Sequence, residues 1–190
     1  MHCLEDGLIH PPNILNRKSM SNNNYHKIGN APMFHVLLST GMGTGFFPVA
    51  PGTAGALMAL TIWYVLYLYI PIHLLTLVTS GLIVVTIEIG VWTSNVMEKY
   101  WGKDPRAVNI DEFVGTWIPL LVAPCGEKTW FLALLGFLMF RVIDIVKPLG
   151  CKVIDEKCEG GWGVMLDDIL AGFYALILTL CVKVIMTYYF

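Results

Sequence analysis

Charged residues are scarce in this chain of 190 residues, where Asp, Glu, Lys and Arg make up 14% and hydrophobic residues 56%. Ordinary soluble domains carry about 25% charged residues. Between Ile28 and Ile87 there is no charged side chain at all. A water-soluble fold could not solvate a helix such as Ala54–Ile70 on any face. The composition therefore predicts an integral membrane protein.

Sequence patterns of several soluble protein classes are also missing. The Lys and Arg residues are few and scattered, which argues against a nucleic-acid-binding face. The five cysteines form no Cys-x-x-Cys pair, and we expect them to be structural or incidental. The chain has no P-loop lysine, no Cys-x5-Arg, no Asp-x-Asp-x-Thr/Val and no Gly-x-Ser-x-Gly. These absences disfavour P-loop enzymes, cysteine phosphatases, soluble phosphoaspartate enzymes and serine hydrolases.

The first 32 residues differ in kind from the rest, because they are polar, rich in Asn and interrupted by proline. They lack the apolar core of a signal peptide. We expect residues 1–32 to form a disordered cytoplasmic tail and residues 33–190 to form one membrane-embedded domain. The alternative is that part of this tail comes from an upstream start site, since Met20 and Met33 can also serve as starts.

Five apolar segments follow the tail, each bounded by proline or by charged residues. A helix needs about 20 apolar residues to cross a bilayer, and the third segment is shorter than the others. The sequence predicts an all-α polytopic bundle of about five membrane-embedded helices, with a glycine-rich re-entrant or interfacial loop before the first. The predicted segments are Ala54–Ile70, Ile72–Val96, Ile110–Ala123, Trp130–Val146 and Val164–Tyr189.

Most Lys and Arg residues lie on one side of these segments, which the positive-inside rule assigns to the cytoplasm. Five crossings then place the C-terminus on the opposite side. With this orientation the glycine-rich segment and the acidic residues described below all meet at the cytoplasmic leaflet. The cytoplasmic set is Lys99, Lys103, Arg106, Lys147, Lys152 and Lys157, whereas the opposite side holds Lys128 and Lys183.

Arg141, Asp144 and Lys147 are spaced by three residues, which places them along one face of a helix. Ionisable residues in or beside membrane helices usually have a function. Asp144 can serve as a metal ligand, while Arg141 offers a planar fork and Lys147 a point charge to a phosphate. The alternative is an Arg–Asp pair at a helix end, with Lys147 extending to the lipid headgroups.

Two adjacent acidic pairs, Asp111-Glu112 and Asp167-Asp168, begin the third and fifth segments. Helix N-termini favour acidic residues without any further function, which is the alternative interpretation of each pair. Gly115 and Gly172 each follow a pair by one helical turn and allow neighbouring helices to approach closely. Oxygen ligands without a histidine cluster favour Mg²⁺ over zinc.

A glycine-rich segment, residues 41–55, precedes the first helix. Its backbone N–H groups can surround an anion beside a helix N-terminus, and we expect Gly43, Gly45, Gly52 and Thr53 to bind phosphate. Thr53 can also cap the helix. The alternative is a flexible re-entrant link. Glu88, inside the second segment, is open to a functional or a structural interpretation.

Several short motifs, taken in this order and spacing, resemble the bacterial phosphatidylglycerophosphatase A family. The resemblance extends from about Phe34 to the C-terminus, and the bulky Phe46-Phe47 departs from the smaller residues expected in the glycine-rich loop. The motifs are Gly41-Met-Gly-Thr-Gly-Phe-Phe-Pro-Val-Ala-Pro-Gly-Thr53, Asp104-Pro105, Asn109-Ile-Asp-Glu-Phe-Val-Gly115, Phe140-Arg-Val-Ile-Asp-Ile-Val-Lys-Pro148, Gly160-Gly161 and Val164-Met-Leu-Asp-Asp-Ile-Leu-Ala-Gly172.

The resemblance implies a Mg²⁺-dependent phosphatase of the bacterial inner membrane that hydrolyses phosphatidylglycerophosphate to phosphatidylglycerol and phosphate. Its partners would be this phospholipid and the bilayer, with no nucleic acid. Glu112 or Asp168 would orient or deprotonate the attacking water. One or two metal ions, and direct attack or an aspartyl-phosphate intermediate, remain open. Asp111, Asp144, Asp167 and Asp168 would hold Mg²⁺, while Arg141 and Lys147 would stabilise the phosphate charge.

Two other functions fit part of the pattern. A phospholipid-headgroup transferase would also be a small Mg²⁺-dependent membrane enzyme, but it needs a long run of Asp, Gly and Ala-Arg that this chain lacks. A non-enzymatic ion-binding membrane protein would place acidic residues at the midplane and in both leaflets, whereas here Glu88 alone is deep.

Overall fold

Helices account for nearly all of the chain that the computed structural model describes, residues 31–102, 105–147, 158 and 160–189. No strand occurs among these residues. The predicted N-terminal tail lies almost entirely outside them, as does Asp104. The helices are α1 (Met33–Ser39), α2 (Pro51–Tyr69), α3 (Ile72–Trp101), α4 (Asp111–Leu120), α5 (Thr129–Val146) and α6 (Gly160–Tyr189), with 3₁₀ turns at Thr44–Phe46 and Gly126–Lys128.

Four of the helical segments are long and apolar enough to cross a membrane. They comprise α2, α3, α6 and the stretch Gly126–Val146 that includes α5. The prediction of an all-α bundle is confirmed. The expectation that Ile110–Ala123 forms a transmembrane helix is wrong, because α4 has 10 residues and at 1.5 Å per residue extends about 15 Å, half of a bilayer core of about 30 Å.

The short helix α4 lies at the centre of the bundle and packs against α2, α3, α5 and α6. Every residue from Glu112 to Leu120 is buried. Beyond its end, the Nζ of Lys183 on α6 donates to the carbonyl oxygens of Val122 at 2.9 Å and Pro124 at 3.1 Å. Non-helical backbone at membrane depth is tolerated where protein groups satisfy its polar atoms. Lys183 satisfies these carbonyls.

Helix α4 and the turn after it together traverse the bundle. Lys183 lies 15 residues beyond Asp168, a distance of about 22 Å along α6. The chain from Asp111 to Pro124 covers a similar depth, because it starts beside the N-terminal part of α6 and ends beside Lys183. The polypeptide thus passes five times between the two ends of the bundle, although one passage is only partly helical.

Small residues and indole hydrogen bonds hold the central helix in place. A Cβ at Gly115 would collide with the ring of Phe140 on α5, and a Cβ at Gly172 would lie 2.9 Å from the carbonyl oxygen of Gly115. The Nε1 of Trp117 donates to the carbonyl oxygen of Ala59 on α2 at 2.9 Å. As predicted, Gly115 and Gly172 lie where neighbouring helices approach closely.

Helix α2 begins earlier than the sequence suggested. Pro51 opens it, and the preceding Ala50 adopts a left-handed conformation with φ of 51° and makes no side-chain capping bond. Proline is favoured at a first helical position because its fixed φ suits the helix and its missing N–H costs no bond there. Thr53 therefore lies inside the first turn, and the prediction that it caps the helix is wrong.

Candidate active site

One polar cavity of about 530 Å³ opens at the end of the bundle where α2, α4 and α6 begin and α5 ends. All seven residues predicted to be catalytic line it: Asp111, Glu112, Arg141, Asp144, Lys147, Asp167 and Asp168. Gly52, Glu98 and Arg106 line it as well. The seven predicted residues come from three separate helices, α4, α5 and α6.

Arg141 connects three helices at the wall of this cavity. Its Nη1 donates to Glu112 Oε2 on α4 and lies 3.2 Å from Asp144 Oδ2 on its own helix. Its Nη2 lies 3.5 Å from Thr53 Oγ1 on α2. The Arg141 and Glu112 side chains are 12% and 10% exposed. The Arg–Asp pair that the spacing allowed does form, but it is shared with a carboxylate 29 residues away.

Lys147 ends helix α5 in a left-handed conformation with φ of 45°. Its backbone N–H donates to the carbonyl oxygen of Ile143 at 2.8 Å, and its Nζ contacts Asp167 Oδ2 at 2.8 Å. A third of its side chain is exposed. Both cations of α5 therefore form ion pairs with carboxylates of other helices, which holds positive charge beside the acidic residues.

Asp144, Asp167 and Asp168 form a compact carboxylate group. Each offers one oxygen, and these oxygens lie within 4.8 Å of one another. Asp168 is 4% exposed, and its Oδ2 is buried with no hydrogen-bond partner among the described residues. A buried carboxylate without a partner is strongly unfavourable. Closely spaced oxygen donors, one of them unpaired, fit a hard divalent cation such as Mg²⁺.

Asp111 lies on the same cavity but outside this compact group. Its Oδ1 accepts a hydrogen bond from the backbone N–H of Glu112 at 3.0 Å. Both residues belong to α4, which is too short to cross a membrane. Burial, and then the Glu112 and Asp167 carboxylates, raise the pKa of Asp111 well above its usual value. Burial also raises the pKa of Glu112 to about 7, although Arg141 opposes this shift.

The glycine-rich segment contributes to the cavity only through its last part. Gly52 lines the cavity, and a Cβ there would overlap Glu112 Oε1. Gly43 and Gly45 do not reach it, because their N–H groups donate to Thr40 Oγ1 at 3.1 Å and to the Thr40 carbonyl at 3.0 Å. Phosphate binding by Gly43 and Gly45 therefore has no geometric support, whereas Gly52 and Thr53 lie beside Arg141.

Comparison with known proteins shows to which protein family this chain belongs. The model of the family described as Phosphatidylglycerophosphatase A matches residues 37–183. The chain belongs to the phosphatidylglycerophosphatase A family. It is 39% identical over 137 residues to phosphatidylglycerophosphatase A of Escherichia coli, covering 72% of this chain and 76% of that protein. It is 33% identical over 162 residues to the Haemophilus influenzae protein of the same name, covering 85% and 96%.

A third relative has a different name. A Bacteroides thetaiotaomicron protein, named provisionally as a phosphatidylinositol-3-phosphatase, is 48% identical over 143 residues, covering 75% of this chain and 89% of its own length. No solved structure matches the chain. Since its relatives are phosphatases, this member of the phosphatidylglycerophosphatase A family is an enzyme.

Asn109 is a site residue to which the sequence assigned no role. It is 2% exposed, and its Nδ2 donates to Thr44 Oγ1 at 3.0 Å and to the Pro51 carbonyl at 3.1 Å. It therefore joins the glycine-rich segment to the start of α2, two residues before Asp111. Its position within the Asn-Ile-Asp-Glu motif was the sequence signal that marked Asn109 for attention. That signal could not identify its hydrogen-bond partners, which are 58 and 65 residues away in the chain.

Glu88 lies outside the cavity. Helices α3 and α6 run antiparallel, since Gly90 faces Met165 and Asn95 Oδ1 accepts the Gly161 N–H at 2.7 Å. This register puts Glu88 at about the depth of the acidic residues that begin α6, but on the exposed face of α3. In this member of the phosphatidylglycerophosphatase A family, Glu88 does not join the other acids.

Proposed function

We propose that this protein hydrolyses phosphatidylglycerophosphate to phosphatidylglycerol and inorganic phosphate, that it requires Mg²⁺, and that it acts at the cytoplasmic leaflet of the bacterial inner membrane. The observation that carries the proposal is the carboxylate group of Asp144, Asp167 and Asp168, which lies beside Arg141 and Lys147 in one cavity. Phosphoryl transfer depends mainly on positioning and on neutralising phosphate charge. This cavity offers the groups for both.

The surroundings of the cavity suit a lipid substrate. Ile145 lines the cavity and is 71% exposed, while Val142 and Val146 on the same helix are 58% and 67% exposed. These apolar side chains offer a surface along which acyl chains can lie while the headgroup enters the cavity. Because moving such an apolar surface from water into an apolar medium is favourable, this face of α5 would contact lipid.

Asp144, Asp167 and Asp168 would hold the Mg²⁺, which when bound neutralises phosphate oxygens and acts as a Lewis acid. Arg141 would direct its remaining N–H groups to the phosphate, while its bonds to Glu112 and Asp144 fix its position.

We assign the proton transfer from the attacking water to Asp111, because it lines the cavity and forms no ion pair with any of the described cations. Water attacks phosphorus while Asp111 takes one of its protons, and the bond between phosphorus and the glycerol oxygen breaks. Asp111 then passes this proton to the glycerol oxygen, which leaves as the alcohol of phosphatidylglycerol, and the water oxygen stays on the released phosphate.

A second candidate substrate is phosphatidylinositol 3-phosphate. The name of the Bacteroides thetaiotaomicron relative supports it, since that protein is 48% identical to this chain. The two lipids share a phosphomonoester on a headgroup that a phosphodiester joins to diacylglycerol. The chemistry of the cavity suits both lipids, so an activity assay with each lipid is needed to distinguish them as substrates.

The proposed orientation, with the cavity facing the cytoplasm, follows from the distribution of Lys and Arg residues between the two ends of the bundle. Lys99, Arg106 and Lys147 lie at the cavity end of the bundle, whereas Lys128 and Lys183 lie towards the other. The positive-inside rule then favours a cytoplasmic cavity. A variant that keeps Cys158, which lines the cavity, as its single cysteine should react with an impermeant thiol reagent only after cells are permeabilised. Labelling in intact cells would reverse the orientation.

Phosphate release by the purified protein tests the activity and the metal together. We expect Mg²⁺-dependent release from phosphatidylglycerophosphate that a chelator abolishes, with phosphatidylinositol 3-phosphate measured in parallel. Asp144→Asn and Asp167→Asn should each lower turnover by about 100-fold or more, since each removes charge from the metal site. Glu88→Gln, which changes an acid outside the cavity, is the matched control. Full activity with chelator, or in both Asn variants, would refute the metal site.

A further inference from the structure

Arg106 is a third cation of the cavity, and its surroundings differ from those of Arg141 and Lys147. Those two side chains pair with carboxylates, whereas Arg106 forms no ion pair within the part of the chain that the structure describes. Glu98 also lines the cavity but does not pair with it. Arg106 is exposed and lines this polar cavity. It is therefore available to an anion that enters the cavity.

The backbone that carries Arg106 is held in place. The Val108 N–H donates to the Pro105 carbonyl at 2.8 Å, which closes a turn around Arg106, and the Asn109 N–H donates to the Ser39 carbonyl at 2.9 Å. Gly45 packs directly against the carbonyl group of Ala107. A long side chain on a fixed turn can reach a ligand without ordering the main chain. Such support is what a binding site on a loop requires.

The proposed substrates carry two phosphates, and the groups assigned so far account for one. The carboxylate group with Arg141 and Lys147 would take the terminal phosphomonoester. The phosphodiester nearer the acyl chains needs its own partner, and an unpaired guanidinium matches a phosphate by two parallel hydrogen bonds. A cavity of about 530 Å³ lies within the range that holds small ligands, so there is room for a headgroup beyond one phosphate.

We propose that Arg106 forms a second anion subsite, which binds the phosphodiester of the lipid headgroup and so selects headgroup phosphomonoesters over free phosphate. This inference rests on the proposed function and adds to it a residue that determines specificity. Arg106 acts on binding and takes no part in bond breaking. Its removal should therefore weaken lipid affinity while leaving the chemistry at the carboxylate group unchanged.

The two products separate the subsites experimentally. Phosphatidylglycerol carries the phosphodiester alone, whereas inorganic phosphate resembles the phosphomonoester. In mixed micelles of fixed composition, Arg106→Gln should raise the KM for phosphatidylglycerophosphate and the inhibition constant of phosphatidylglycerol about tenfold, as expected for loss of a charge-assisted hydrogen bond. The kcat and the inhibition constant of inorganic phosphate should stay within about twofold. Arg106→Lys should recover part of the affinity, since it keeps the charge but loses the fork.

Lys99→Gln is the matched control, because Lys99 is exposed on the last turn of α3 and does not line the cavity. It should leave both inhibition constants unchanged. The proposed subsite would be refuted if Arg106→Gln weakened the binding of both products equally, or weakened the binding of neither. It would also be refuted if Lys99→Gln had the same effect as Arg106→Gln. A wild-type protein that hydrolyses neither lipid would overturn the proposed function and this inference with it. An active wild-type protein with an unaltered Arg106→Gln variant would overturn this inference alone.

Discussion

Asp168→Asn should change stability and activity in opposite directions. Asp168 is 4% exposed, its Oδ2 has no partner among the described residues, and it lies with Asp144 and Asp167 in one group. Without metal, that carboxylate is buried and faces two others of the same charge. The amide has the same shape and carries no charge, and its N–H₂ can donate to a neighbouring carboxylate. The variant should therefore be more stable than the wild type when metal is absent.

The size of this effect follows from the buried oxygen. An unsatisfied buried polar group costs about 1–3 kcal/mol, and more when charged. For a chain of this size, about 1 kcal/mol shifts the melting temperature by roughly 2–4 °C. With chelator present, the apparent melting temperature of Asp168→Asn should therefore rise by roughly 2–12 °C. The variant should at the same time lose turnover by about 100-fold or more, because a metal ligand is gone.

Adding Mg²⁺ should reverse the order of stability. A ligand at 100 times its dissociation constant stabilises the folded state by about 2.7 kcal/mol, so wild-type protein should gain several degrees and the variant little. The assay is thermal unfolding in one detergent at one scan rate, with chelator or with Mg²⁺, together with phosphate release. A variant that is less stable than wild type in chelator, or that keeps the Mg²⁺-induced shift, would refute this account of the carboxylate group.

Three further substitutions test contacts between the segments of the bundle. Gly52→Ala should lower kcat about tenfold or more by displacing Glu112. Gly81→Ala is the control and should retain full activity, because an added Cβ there meets nothing within 4 Å. Asn109→Leu should lower the free energy of unfolding by about 2–4 kcal/mol, since two hydrogen-bond acceptors lose their donor. If chemical denaturation gave the same free energy of unfolding for the variant as for the wild type, that result would contradict the connecting role of Asn109. Lys183→Met should destabilise the protein by about 1–3 kcal/mol, because the half-buried carbonyl groups of Val122 and Pro124 lose this donor, while the KM stays unchanged. A large rise in the KM instead would show that the far end of the bundle controls substrate binding.

Much of the architecture was predictable because hydrophobic length and charge asymmetry are local properties of the sequence. The four long helices follow from apolar runs, and the spacing of Arg141, Asp144 and Lys147 predicts their shared face. The length of α4 was not predictable in this way. An apolar segment buried in protein has the same composition as one that faces lipid, and the carbonyl groups that Lys183 satisfies lie 59 and 61 residues away in the chain.

The ion-pair partners of the site residues could not be predicted from the sequence either. Arg141 pairs with Glu112 across 29 residues, and Lys147 with Asp167 across 20. The sequence supplied the correct charges and the local Arg141–Asp144 pair, but it could not assign the ion pairs between helices. The glycine-rich segment shows the same limit. Glycines that leave N–H groups open in principle, such as Gly43 and Gly45, lose them to Thr40 once the turn forms.

The central position of α4 has a consequence for how the protein is made. This helix carries Asp111 and Glu112, is too short to enter a bilayer as a stable span, and needs α5 and α6 around it to be buried. Helix α6 leaves the ribosome after α4 and α5, and it also brings two of the three carboxylates of the compact group. During synthesis α4 must therefore wait in a partly assembled state, and the cavity forms only after α6 has been made. A truncated product would insert its first helices correctly and still have no place to bind a phosphate.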